Sequence, residues 1–126
     1  MNSRRRLQVG ALLAAVGVAA GAFGAHALEG VLSAKDAATF DVAVRYHLLH
    51  AVALCALAAV PHASRSIDRG AALITWGTLI FAGTLYALVL SGQRWLGAVT
   101  PIGGSLLIIG WIFVAAGGLD RPTAKP

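Results

Sequence analysis

Four long apolar segments constrain the fold of this chain more than any other feature. Residues 7–28, 71–90 and 96–119 contain no charged side chain, and residues 42–60 contain only Arg45. A helix rises about 1.5 Å per residue, so about 20 residues cross a hydrocarbon core of about 30 Å. The sequence therefore predicts an all-α bundle of four transmembrane helices, forming a single integral membrane domain over residues 1–126.

Composition supports a membrane protein. Of the residues, 58% are hydrophobic and 12% are charged, whereas soluble domains carry about 25% charged residues. The net charge of +5 comes from basic residues in the termini and connections. They form no basic face with interleaved aromatic residues, so we expect the lipid bilayer, and no nucleic acid, as a partner. Cys55 is the single cysteine, which excludes an intrachain disulfide.

The first apolar segment has two interpretations. Its basic start and the sequence Ala25-His26-Ala27 are typical of a secretory signal peptide with a cleavage site. However, the segment is longer than a typical signal core. We therefore expect it to be retained as the first helix.

The second helix is predicted to begin before its apolar segment. Ser33 and Asp36 have the spacing of a capping box, in which the serine oxygen accepts a hydrogen bond from a backbone N–H at the start of a helix. We expect a helix from about Ala34 to Val60, with residues 34–41 at the membrane interface. Pro61 then ends it.

The distribution of basic residues predicts the orientation. With four spans, both termini lie on one side of the membrane. That side carries seven basic residues, and the other side carries three: Arg4, Arg5, Arg6, Arg65, Arg69, Arg121 and Lys125 against Lys35, Arg45 and Arg94. The positive-inside rule therefore predicts that both termini are cytoplasmic.

Glycines recur every seven residues, which places each set on one helix face. The sets are Gly10, Gly17 and Gly24; Gly70 and Gly77, continued by Thr84 and Ser91; and Gly103, Gly110 and Gly117. Small residues let helices approach closely in lipid. We expect glycine-seam packing, with helices 1 and 4 meeting along their glycines. The same seams could instead join a homo-oligomer or a membrane-protein partner.

A polar stripe on the second helix is the candidate site. Tyr46, His47 and His50 share one side of the helix, whereas Asp41 and Arg45 lie on the opposite side, four residues apart, where they can pair. His26 and Thr100 end and open neighbouring helices at the same predicted level. The sequence therefore predicts a polar cluster near the outer leaflet, made of His26, Tyr46, His47, His50 and Thr100.

Three interpretations of these histidines stay open. Each imidazole could bond to other groups of the bundle and lock its outer end. His26, His47 and His50 could ligate a metal or haem. His47 and His50 could carry a proton or bind a small solute in a cavity. Since no carboxylate or thiolate completes a ligand set, we expect no cofactor.

Several motifs resemble the YgdD-like family of small membrane proteins. They are Gly21-Ala-Phe-Gly-Ala-His26, Tyr46-His47-Leu-Leu-His50, Gly83-Thr-Leu-Tyr86, and Thr100-Pro-Ile-Gly-Gly104 followed by Trp111. The resemblance runs from about residue 8 to residue 118. It implies four transmembrane helices, a multi-pass location in the bacterial inner (plasma) membrane, and an uncleaved first helix. The family has no established function, so the resemblance supplies no catalytic residues.

The sequence contains no reaction motif. No glycine-rich phosphate loop follows a strand, and Ser64 and Ser66 lack an acid–base arrangement for hydrolysis. We therefore expect a non-enzymatic structural or accessory membrane protein. The alternative is a membrane protein that binds a small solute, a proton, or a metal or haem through the polar cluster.

Overall fold

Four long helices build the protein. The computed structural model describes residues 1–61 and 63–119, so the polar C-terminal tail with Arg121 and Lys125 lies outside the described residues. The helices are α1 (Ser3–His26), α2 (Ala34–Ala58), α3 (Arg65–Ser91) and α4 (Thr100–Gly118), with a 3₁₀ helix at Arg94–Ala98 before α4. All four are long and apolar enough to cross a membrane. The prediction of an all-α protein with four such helices is confirmed.

Side-chain caps explain where three of these helices begin. The Oγ of Ser33 accepts a hydrogen bond from the backbone N–H of Asp36 at 3.1 Å, as the capping box predicted. Asn2 and Ser64 cap α1 and α3 in the same way. The Ser64 cap lets α3 begin six residues before its apolar segment. Gly92, with φ of 73°, ends α3 in the left-handed conformation that glycine adopts without strain.

The helices pack in chain order: α1 on α2, α2 on α3, and α3 on α4. Short connections favour this arrangement, because they place consecutive helices side by side and antiparallel. The main hydrophobic core lies between α2, α3 and α4. It contains Leu54, Leu57, Ile67, Ala71, Ile74 and Leu107.

The glycines lie where consecutive helices approach each other most closely. A Cβ atom added to Gly70 would lie 2.7 Å from the carbonyl oxygen of Gly110, and one added to Gly77 would lie 3.0 Å from that of Gly103. Neither distance accommodates a side chain, so backbone packs on backbone between α3 and α4.

The glycines of α1 face α2, where a Cβ atom on Gly17 would lie 2.6 Å from the side chain of Leu48. The prediction that helices 1 and 4 meet along their glycines is therefore wrong. Each glycine set instead fits the helix that is its neighbour in sequence.

We expect Gly103→Ala to lower the free energy of unfolding by about 1–3 kcal/mol, the usual cost of overpacking. The added methyl group would meet the backbone of Phe81, which cannot turn away as a side chain can. Gly83→Ala is the control, since nothing lies within 4 Å of a Cβ atom there. Unfolding of both variants in detergent, measured against the unchanged chain, tests the contact. Equal stability of the two variants would contradict it.

Candidate functional site

His50 bonds within the protein through both of its ring nitrogens, and one of these bonds connects α2 to α4. Its Nδ1 lies 2.7 Å from the carbonyl oxygen of Tyr46, and the indole Nε1 of Trp111 lies 3.1 Å from its Nε2. A carbonyl oxygen only accepts and an indole N–H only donates, so Nδ1 carries the proton and Nε2 is the acceptor. The side chain is 4% exposed. His50 is therefore fixed in one tautomer, with no ring nitrogen left for another ligand.

His47 connects α2 to α3. Its Nδ1 lies 3.0 Å from the hydroxyl of Tyr86, and on its other side the ring lies against Gly17 of α1. Its Nε2 is buried and has no hydrogen-bond partner among the described residues. A buried polar atom without a partner is costly. Nε2 is therefore the atom of His47 through which the predicted proton or small-solute role would act, and that role stays a prediction.

Aromatic rings enclose the two histidines. The ring of Tyr46 packs on Phe81 at 4.7 Å and stacks on His50 at 6.0 Å, with an interplanar angle of 24°. Trp111 covers His50 from α4, with ring centroids 6.1 Å apart. Tyr46 and Trp111 are themselves about half exposed. The imidazoles therefore lie beneath a layer of aromatic side chains.

The cluster lies near the middle of α2. His47 follows Ala34 by 13 residues and precedes Ala58 by 11 residues, and it faces Gly17, which is also near the middle of α1. The site thus lies near the middle of the bundle and not near the end of a helix. The predicted position near the outer leaflet depends on residues 34–41 lying at the membrane interface, and it stays a prediction.

The structure brings together only part of the predicted cluster. Tyr46, His47 and His50 are neighbours on α2. His26 is exposed at the last residue of α1, and Thr100 bonds to Thr84 at 2.8 Å where α4 begins. Within residues 1–61 and 63–119, no three His, Cys, Asp or Glu side chains are placed to hold a metal ion. His26, His47 and His50 therefore do not come together as the three ligands of a metal site.

A buried arginine at the opposite end was not anticipated. The side chain of Arg6 is 2% exposed, and its Nη1 lies 3.3 Å from Oδ1 of Asp68, which joins α1 to α3. Nearby, the hydroxyl of Ser3 donates to the carbonyl oxygen of Ala58. The sequence pattern around Arg6 predicted only a role in topology. The sequence feature that could have predicted this ion pair is that Arg6 and Asp68 both border apolar segments at the same predicted end of the bundle.

Two further ion pairs lie towards the other end of α2. Asp36 accepts two hydrogen bonds from Arg94, at 2.8 and 3.1 Å, and this fork fixes the connection between α3 and α4 onto α2. Arg45 donates to Asp41 at 2.7 Å, so the predicted pair is confirmed. Asp41 also borders a depression of about 420 Å³ between the end of α1 and the start of α2, together with Glu29 and Phe40.

Comparison with known proteins identifies the family. A family model described as "Protein of unknown function (DUF423)" matches residues 20–104. The chain is 40% identical over 110 residues to a UPF0382 membrane protein of Staphylococcus saprophyticus, covering 86% of this chain and 92% of that protein. This chain belongs to the DUF423 (UPF0382) family of membrane proteins.

Relatives in other bacteria agree with this assignment, which confirms the resemblance to YgdD-like proteins. The UPF0382 membrane protein of Haemophilus influenzae is 38% identical over 102 residues, covering 79% of this chain and 82% of that protein. UPF0382 membrane protein YwdK of Bacillus subtilis is 37% identical over 109 residues, covering 84% and 89%. No solved structure matches the chain significantly. This UPF0382 member is therefore a multi-pass membrane protein.

We expect Trp111→Phe to lower the free energy of unfolding by about 0.6–1.7 kcal/mol, from the average to the maximum measured for hydrogen bonds between membrane helices. The change keeps an aromatic ring but leaves Nε2 of His50 buried without a donor. Trp76→Phe is the matched control, since Trp76 is 62% exposed and the change removes no contact to His50. Unfolding in detergent measures the cost. ¹⁵N NMR of labelled histidine should show a shift of the His50 Nε2 signal only in Trp111→Phe.

Proposed function

We propose that this UPF0382 member is a non-enzymatic integral membrane protein with a structural or accessory role. The observation that carries this proposal is that both ring nitrogens of His50 are occupied within the protein: Nδ1 bonds to Tyr46 on α2, and Nε2 accepts from Trp111 and so joins α2 to α4. His47 likewise uses Nδ1 to join α2 to α3. The most polar residues of the bundle thus hold helices together. A chemical role would instead favour groups turned towards a bound substrate.

In the proposed role, the outer faces of the helices bind the partner. The glycines lie mostly between α1 and α2 or between α3 and α4, where they are unavailable to a partner. In contrast, α1 turns large apolar side chains outwards, among them Leu12, Val16 and Val18. We infer that a membrane partner, either a second copy or another membrane protein, contacts such outer faces and not the glycine seams.

We further propose a location in the bacterial inner (plasma) membrane with both termini in the cytoplasm. At the end that holds the N terminus, Arg4, Arg5 and Arg6 lie beside the start of α3, which carries Arg65 and Arg69. Lys35, Arg45 and Arg94 lie towards the other end. This asymmetry favours retention of the first end in the cytoplasm.

The orientation can be tested with a membrane-impermeant maleimide in a Cys55→Ala background. We expect Val31→Cys, at a side chain that is 71% exposed, to be labelled in intact spheroplasts. We expect a cysteine appended after Pro126 to be labelled only after permeabilisation. The reverse pattern would contradict the proposed orientation.

Isolation in a mild detergent tests the proposed role. We expect the protein to emerge either as an oligomer or together with another membrane protein, and the mass of the complex can be measured by light scattering. A second preparation in a harsh detergent is the control, since it should yield the monomer. Recovery of a bare monomer from several mild detergents would contradict an accessory role.

A further inference from the structure

A charged pair lies on the outward face of α2. The side chains of Asp41 and Arg45 are 65% and 71% exposed. The buried residues of the helix, such as Ala43, His47 and Leu54, lie on the other side. The pair shares the outward face with Leu49 and Val52, which are 61% and 62% exposed. A single chain therefore leaves Arg45 facing whatever surrounds the bundle, while Asp41 lies between this face and the depression beside Glu29.

The position of the pair along α2 makes this exposure unusual. The fork between Asp36 and Arg94 marks the end of the bundle. Arg45 follows Asp36 by nine residues, which is roughly 13 Å along a helix. It precedes His47 by two residues, and His47 faces the middle of α1. Arg45 thus lies beside the apolar part of α1, near Gly21, whereas Asp41 lies level with the end of α1. A charged side chain beside apolar helices almost always faces protein or water, and this applies to Arg45.

We propose that this face of α2 is the contact surface for a second copy of the chain. This inference rests on the proposed accessory role and names its partner. Two copies inserted in the same orientation can be related by a two-fold axis along the membrane normal, which keeps equivalent residues at the same height. Arg45 of one copy then lies one helical turn, about 6 Å, from the height of the partner's Asp41, a distance that the long arginine side chain can span. Arg45 would pair with the partner's Asp41, and Asp41 would pair with the partner's Arg45. Four alternating charges would then be covered by protein.

The chemistry of the face fits a copy of itself. It carries one positive and one negative side chain that are one helical turn apart and displaced sideways by about 40°. Across a two-fold axis that passes between them, each Arg45 lies on the same side of the contact as the partner's Asp41. Ala38 and Ala56 are exposed along the same helix, and small side chains allow two helices to approach closely in lipid. A partner with a different sequence would have to supply a matching pair of opposite charges.

Charge reversal in two differently tagged copies tests the contact. We expect unchanged copies to purify together. In Arg45→Asp copies the amount of the second copy that purifies with the first should fall at least ten-fold, because four carboxylates would meet. In Asp41→Arg copies this amount should fall likewise, because four guanidinium groups would meet. Co-expression of an Arg45→Asp copy with an Asp41→Arg copy should restore association. Both copies of this mixed pair lack the intrachain ion pair, so only a contact between chains explains recovery.

Oxidative crosslinking in native membranes provides a second measurement in a Cys55→Ser background. We expect Leu49→Cys, one turn from Arg45 on the same face, to form a disulfide-linked dimer. Ile108→Cys is the control, since it is 65% exposed on α4, away from this face. A dimer from Ile108→Cys with none from Leu49→Cys would place the interface elsewhere and overturn the proposal.

The remaining outcomes separate the two proposals. If the copies purify together and charge reversal does not change the amount recovered, the proposed contact at Asp41 and Arg45 is wrong. Copies that never associate, while another membrane protein purifies with the chain, would overturn the second copy as partner and leave the accessory role standing. Monomers without any companion would overturn both.

Discussion

Hydrocarbon offers no hydrogen-bond partner, so each polar group inside these four helices must find one within the protein. Nδ1 of His47 and Nε2 of His50 do so on neighbouring helices, at Tyr86 and Trp111, whereas Nε2 of His47 has no partner among the described residues. The hydroxyls of Thr84 and Thr100 bond to each other across α3 and α4. Because these groups cannot turn to water, each bond also specifies which helix lies beside which. The polar residues therefore define the arrangement of the bundle.

Close backbone contact supplies the second part of that arrangement. Glycines bring α1 against α2 and α3 against α4. Lipid competes for apolar side chains as well as another helix does, so tight packing of small residues matters more here than in a soluble core. The result is two closely packed helix pairs. The bonds of His47 to Tyr86 and of His50 to Trp111, together with the ion pair of Arg6 with Asp68, join one pair to the other.

Sequence patterns predicted features that depend on one helix. They predicted four membrane-length helices, the Ser33 cap and the pairing of Asp41 with Arg45, since each follows from spacing along one segment. They did not predict which helices meet, because a glycine repeat defines a face and leaves its neighbour open. For the same reason, the partners of His50 and the burial of Arg6 were missed. His26 and Thr100 were grouped with the histidines by an assumed depth, which depends on how the helices are offset.

The polar side chains of α2 also bear on how the chain enters the bilayer. This helix is the least apolar of the four candidate spans and carries Arg45, His47 and His50, whereas α1 contains neither charge nor histidine between Leu7 and Ala25. A segment with such groups inserts poorly alone, but α1 can already be in lipid when α2 is synthesised. The face of α1 at Gly17, which fits His47 and Leu48, is then available for α2 to pack against. Such a fit would let the first two helices enter the bilayer as one hairpin.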